Sequence, residues 1–247
     1  MKYTIILGIV GFAFLTYNCK ETTAKNLSPA DELLEKGIVG NGGWSNWKNL
    51  DTISFYKTTK LYLEDGSIED STFQKHTYYM YPEMNGKYSW VADGVENVIE
   101  YKDGVITKHI NNIRQELSET EHEKLKKGFL GAQFVMCLPF KLGDPGVKLA
   151  LDGSSQINGK EVDVLKASYH TQNENHTESH DWWHYINAKT GALEGYKVHH
   201  PPTYARVSNV KTATIKGIIF PTYRQTYRVD ENDNRQYLRG EFWYEYL

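Results

Sequence analysis

Cysteine is nearly missing from this chain: two in 247 residues, at positions 19 and 137. That excludes a disulfide framework and any Cys-rich zinc module. An excess of charge is missing too. The 28 Lys and Arg stand against 31 Asp and Glu, a formal net charge of −3. The broad basic footprint of a general nucleic-acid binder is therefore absent. The longest apolar run near the N-terminus, Ile5 to Thr16, has twelve residues, short of the roughly 20 that span a bilayer. The patterns G-x-S-x-G, H-E-x-x-H and G-x-G-x-x-G do not occur, so no nucleophile elbow, zinc-protease helix or dinucleotide loop is encoded in its usual form. Gly40-Asn41-Gly42-Gly43 lacks the lysine of a phosphate-binding loop.

What is abundant is aromatic. Phe, Trp and Tyr make up 13% of the chain, with 18 Tyr, a composition that favours strands. Hydrophobic residues at 40% and charged residues at 24% fit a globular protein.

The N-terminus reads as a targeting segment. Lys2 precedes the apolar run, and Cys19 follows directly after it. A short apolar run ending in cysteine is the pattern of a lipoprotein signal peptide. We expect residues 1–18 to be removed, Cys19 to be acylated, and residues 19–27 to form a polar tether. Tyr17 and Asn18 depart from the small residues usual before such a cysteine. The alternative is ordinary secretion with cleavage near Ala24. Cys137, set in Phe134-Val135-Met136-Cys137-Leu138, reads as a buried, inert thiol.

Residues 28–247 read as one domain. Ser28, Pro29, Asp31 and Glu32 start a helix that Gly37 can stop. A glycine-rich loop then leads to Trp44 and Trp47. From Asp51 onward alternating segments are punctuated by Asp93-Gly94, Asp103-Gly104 and Asn158-Gly159, which are hairpin turns. One long helix interrupts the strands. Ser118-x-x-Glu121 is a capping box, Leu125, Phe129, Ala132 and Met136 recur on one face, and Pro139 marks the end. The expected fold is mainly β (α+β): about ten antiparallel strands and two helices, in a strongly curved sheet or an unclosed barrel covered by helices.

Leu138-Pro139-Phe140-Lys141-Leu142-Gly143-Asp144-Pro145-Gly146, the later Tyr185-Ile186-Asn187-Ala188-Lys189-Thr190-Gly191-Ala192-Leu193, and a Gly-Gly-Trp start after a short helix carry a resemblance. Together they resemble a family of Bacteroidota envelope lipoproteins, distantly similar to LolA/LolB-type lipoprotein carriers. The resemblance covers nearly all of the chain after Cys19. It implies an unclosed antiparallel barrel with an apolar cavity for acyl chains, and no catalytic residues. Asn187 stands where the family has Asp, and either can shape the turn. On this reading Leu125, Phe129, Ala132 and Met136 are ligand-cavity candidates.

Histidine is the unusual chemical feature. If residues 171–179 form a loop, strand ends bring His170, His180 and His199 together, with Asp181 or Glu178 nearby. Neutral imidazoles in that arrangement can bind zinc or another divalent metal. The spacing matches no established motif. Glu241 and Glu245 flank Trp243, a pairing found in sugar platforms but first of all in half-buried strands.

Three functions follow. The first is a non-enzymatic lipoprotein, anchored in the cell envelope and expected at the outer membrane, that binds an acyl chain or other apolar ligand without a cofactor. The second is a metal-dependent hydrolase built on the His cluster. The third is a structural envelope lipoprotein without a ligand. One acyl chain alone holds a protein to membranes only marginally, so stable anchoring rests on several chains at Cys19. Cys19→Ala is expected to move the protein from the membrane to the soluble fraction on cell fractionation.

Overall fold

The computed structural model describes residues 27–80, 84–169 and 181–247. The signal segment, Cys19, most of the tether, His170 and His180 lie outside the described residues. Two helices come first, α1 (Pro29–Gly40) and α2 (Gly43–Lys48). A meander follows: β1 (Thr52–Tyr62), β2 (Ile68–Tyr79), β3 (Asn85–Ala92), β4 (Val95–Lys102), β5 (Val105–Ile110) and the short β6 (Ile113–Arg114). Next are α3 (Glu119–Met136) and a 3-10 turn, Phe140–Gly143. The second meander is β7 (Val147–Ile157), β8 (Lys160–Tyr169), β9 (Asp181–Asn187), β10 (Leu193–His200), β11 (Thr203–Ile215), β12 (Ile218–Val229) and β13 (Arg235–Tyr246).

All strands join one antiparallel 13-stranded sheet in the order β6-β5-β4-β3-β2-β1-β13-β12-β11-β10-β9-β8-β7. Every neighbouring pair is sequential except β1 with β13, which aligns Phe55 with Tyr246 and Leu61 with Gly240. The sheet does not close: β6 and β7 are its two edges. The chain leaves at one edge and returns at the other. The 18 residues of α3, about 27 Å at 1.5 Å per residue, make that transit.

Local chemistry accounts for the elements. Asp93-Gly94, Asp103-Gly104 and Asn158-Gly159 all have positive φ at both positions, the left-handed pair that a two-residue hairpin requires. Asn187 accepts from the Lys189 and Thr190 amides at 2.9 Å, so Asn shapes this turn as Asp would. Ser118 and Glu121 form the expected capping box on α3, and Ser28 forms one with Asp31 on α1.

Two helical expectations needed correction. Helix α1 runs on to Gly40, past Gly37, because Gly37 is buried against Ile186 and holds the helix close to β9. The expected loop at 40–43 is shorter, because Gly43 already starts α2, a third helix where the sequence pattern shows two. Gly40 seats α1 on the β9–β10 turn backbone to backbone; a Cβ there would stand 2.3 Å from the Gly191 carbonyl carbon.

The helices share one face of the sheet, the inner face. Ile38, Leu33 and Leu34 of α1 join Leu165, Ile186 and Leu193 in the core, while Trp47 of α2 stacks on Phe140 at 4.4 Å. Phe129 of α3 is fully buried. It packs edge-on to Tyr78 at 5.7 Å and stacks with Tyr101 at 5.3 Å. A smaller cluster of Ile157, Val162, Val164 and Tyr185 lies on the outer face. The β12–β13 turn folds over it, with Asp233 taking hydrogen bonds from Tyr185 at 3.1 Å and Arg206 at 3.0 Å. Phe129→Ala is expected to lower stability by about 3–5 kcal/mol, the cost of emptying a fully buried aromatic site, read from urea unfolding of the purified protein.

Candidate functional site

The face of α3 chosen from helical spacing is the one turned to the sheet. Phe129 and Met136 are buried, and Leu125 and Ala132 are half-buried. Gln133 is buried on the same face with no partner for its Nε2 among the described residues, a polar position that apolar spacing passes over. Phe129, Met136 and Leu125 pack in the helix–sheet core, and Ala132 is half-buried beside them on the helix.

Beyond the end of α3, a half-open cleft of about 220 Å³ lies between α2, the 3-10 turn and the β2–β3 ends. Trp44, Trp47, Met80, Met84 and Phe140 line it, with Lys141 and Asp144 at its polar side. Lys141 and Asp144 pair at 2.8 Å. Methionine suits such a place because its unbranched thioether adapts to irregular apolar shapes. Met84 also leads inward, since the Cys137 thiol lies 3.9 Å from its sulfur. Burial pushes that thiol up to about 12, against the pull of Lys141, so Cys137 is an inert core residue as the sequence indicates. Nothing in the sequence marked this cleft beyond the paired Trp residues, because its walls come from segments far apart in the chain.

Between α1 and α3 the inner face is polar as well as aromatic. His76 on β2 lies flat between Phe55, at 5.1 Å, and Tyr88, at 5.2 Å. Its ring nitrogens meet the Tyr78 hydroxyl at 3.2 Å and Gln74 Oε1 at 3.1 Å. Burial, and then the Lys57 ammonium, bring its pKa down to about 3. His184 on β9 is fully buried beside Trp182 and Tyr196, and neither ring nitrogen has a hydrogen-bond partner among the described residues. Burial brings it to about 3 as well. Arg224 on β12 is 3% exposed. Its Nε donates to Asn209 Oδ1 at 2.8 Å and its Nη2 to the Val135 carbonyl of α3 at 3.1 Å.

Of the three proposed imidazoles only His199 is described, and Asp181, the carboxylate offered beside them, pairs with Lys166 at 2.9 Å. His199 stacks on Tyr204 at 4.2 Å on the outer face, while His184 of the same strand region faces inward. No group of three metal-ligating side chains occurs among the described residues. Glu241 is held by the hydroxyls of Tyr62 and Tyr223 on the outer face. Burial works against its charge, yet these hydroxyl bonds keep its pKa below the ordinary carboxylate range.

Comparison with known proteins reports on fold. A family model described as a family of unknown function, DUF6503, matches residues 16–214. No curated protein matches the sequence. Several solved structures are similar in fold. A DUF1329 family protein from Desulfovibrio piger has a TM-score of 0.54 at 8% identity, over 90% of this chain and 92% of that one. A putative outer membrane lipoprotein-sorting protein domain from Vibrio parahaemolyticus scores 0.52 at 8% identity, over 88% and 91%. A LolA superfamily protein from Nitrosomonas europaea scores 0.51 at 10% identity, over 90% and 92%. The fold is thus LolA-like: mostly β, unclosed, with few helices.

The two buried imidazoles make stability depend on pH below neutrality. The unfolded chain takes up protons near pH 6.5, while the folded chain resists them down to about 3. Their contribution is therefore full above pH 6.5 and is lost as pH falls toward 3. Well below 6.5, each histidine steepens the loss by about 1.4 kcal/mol per pH unit. Urea midpoints measured between pH 7.5 and 4.5 are expected to fall, and His184→Leu to flatten the slope by one histidine's share.

Proposed function

The chain belongs to DUF6503, a family of unknown function, and we propose that it is a non-enzymatic envelope lipoprotein of Bacteroidota type that binds an acyl chain or similar apolar ligand on the inner face of its half-barrel. The observation that carries this reading is the union of an unclosed sheet with an apolar, methionine-lined cleft. Trp44, Trp47, Met80, Met84 and Phe140 converge where α2 and the 3-10 turn meet the β2–β3 ends. A half-open apolar recess beside a helix-covered sheet interior is the geometry that shields a hydrocarbon from water while leaving it a way out. Two of the fold neighbours carry names that fit this reading, a putative outer membrane lipoprotein-sorting protein domain and a LolA superfamily protein.

The acyl anchor proposed at Cys19 would hold the domain at a membrane, expected to be the outer membrane. The ligand then exchanges with that membrane or with a partner at its surface. Helix α3 acts as a cover: Phe129 and Met136 close the inner face when no ligand is held, and Leu125 and Ala132 sit at the margin of the same interface.

Native mass spectrometry of the purified protein is expected to show a co-purifying acyl lipid, and a fluorescent fatty acid to bind with quenching of the cleft tryptophans. Met84→Trp, which fills the cleft, is expected to weaken that binding about tenfold, the loss of roughly 1.4 kcal/mol of apolar contact. A ligand-free protein that also fails to bind the fluorescent fatty acid would overturn the reading.

A further inference from the structure

Two cations on the inner face have no anion among the described residues. Arg224 on β12 is directly opposite Phe242, and Lys57 on β1 is directly opposite Tyr244, with β13 between them. Each leans across the pair. The Arg224 guanidinium lies 5.7 Å from the Tyr244 ring centroid, and the Lys57 ammonium 5.2 Å from that of Phe242. The remaining neighbours of Arg224 are neutral: Asn209 Oδ1, the Val135 carbonyl and, at 4.0 Å, the Met136 sulfur. The phenols of Tyr244, Tyr196 and Tyr246 surround it. Among the described residues no carboxylate pairs with either cation, although Lys36, Lys141, Lys160, Lys166, Arg206 and Arg239 all have one.

A buried guanidinium with no carboxylate partner carries a desolvation cost. The cation–π contact and the hydrogen bonds to Asn209, the Val135 carbonyl and Tyr244 offset that cost and keep the group charged. What the site lacks is a counter-charge, which a bound anion would supply. Nearby donors are also unused: the His184 ring and Gln133 Nε2 are buried without partners among the described residues, and the His184 and Tyr196 rings are 6.2 Å apart. Lys57 is only half-buried, so its ammonium end of the pair borders solvent. On the other side Arg224 touches Met136, and the adjacent Cys137 touches Met84 of the cleft.

We propose that Arg224 and Lys57 seat the anionic head, carboxylate or phosphate, of a single-chain amphiphile whose tail runs past Met136 and Met84 into the Trp44–Trp47 cleft. This rests on the acyl-binding reading and adds the head group and its direction: head at the centre of the sheet, tail toward α2. A neutral ester or alcohol of the same chain length lacks the counter-charge and binds less well.

The test compares oleate, methyl oleate, dodecyl phosphate and inorganic phosphate on the purified full chain, by calorimetry and tryptophan fluorescence. Oleate and dodecyl phosphate are expected to bind at least about tenfold more tightly than methyl oleate, the worth of one charge-assisted contact. K57Q, at a half-buried position, and R224Q are expected to erase that preference while leaving methyl oleate unchanged. The wild-type comparison needs no variant, so a misfolded R224Q does not shelter the idea. Equal binding of oleate and methyl oleate would overturn the head-group site and leave the acyl reading standing. Inorganic phosphate binding as tightly as dodecyl phosphate would make the site one for a free anion and overturn the amphiphile. Failure of all four probes would overturn both readings.

Discussion

The pairing of β1 with β13 is the constraint on which the rest of the structure depends. All other strand pairs are hairpin neighbours, which form from local chain. This one joins residues nearly two hundred positions apart, from Phe55 with Tyr246 to Leu61 with Gly240. Without it the chain would make two separate meanders, each with an exposed edge where it now has a partner. With it, the outer edges fall on β6 and β7, which are consecutive in the chain. Their connection must then cross the sheet, and α3 does so on the face where α1 and α2 already pack. The covered half-barrel is a geometric consequence of that single non-local pairing.

The same pairing builds the polar centre of the inner face. It brings Lys57 of the first strand against Tyr244 of the last, while β12 adds Arg224 from the other side. The apolar core lies to either side, under α1 and under α3, and the cations sit where the two halves meet. Aromatic rings make this arrangement tolerable: Phe242 and Tyr244 give each cation a π face, and His76 remains neutral between Phe55 and Tyr88. A purely structural interior would bury aliphatic side chains there instead. The inner face thus joins an apolar cleft to a cationic centre, the two chemistries an amphiphile presents.

Much of the fold was legible because it is written in short-range chemistry. Asp-Gly and Asn-Gly turns, the Ser118–Glu121 capping box and the spacing of Leu125, Phe129, Ala132 and Met136 each act over a short stretch of chain, so residue order alone carries them. Where a tertiary contact competed, the reading slipped. Gly37 looks like a helix stop, but packing against Ile186 carries α1 on to Gly40. Helix α2 has too few residues to declare itself by periodicity, and stacking of Trp47 on Phe140 supports it.

The sequence by itself determined the class of fold, the place of the long helix and which of its faces turns inward, because those follow from alternation, turn residues and caps. It did not determine which face of each strand is inner. In the second half both faces are covered, by helices on one side and by the β12–β13 turn over Tyr185 and Arg206 on the other. Alternation then loses its polar-out signal, and Asp181–Asn187 gives no sign that His184 is inward while Trp183 is outward. The Lys57–Arg224 pair and the cleft walls were decided only by tertiary structure. Their members are distant in the chain, and a charge reveals itself as buried and unpaired only once the sheet has brought its neighbours together.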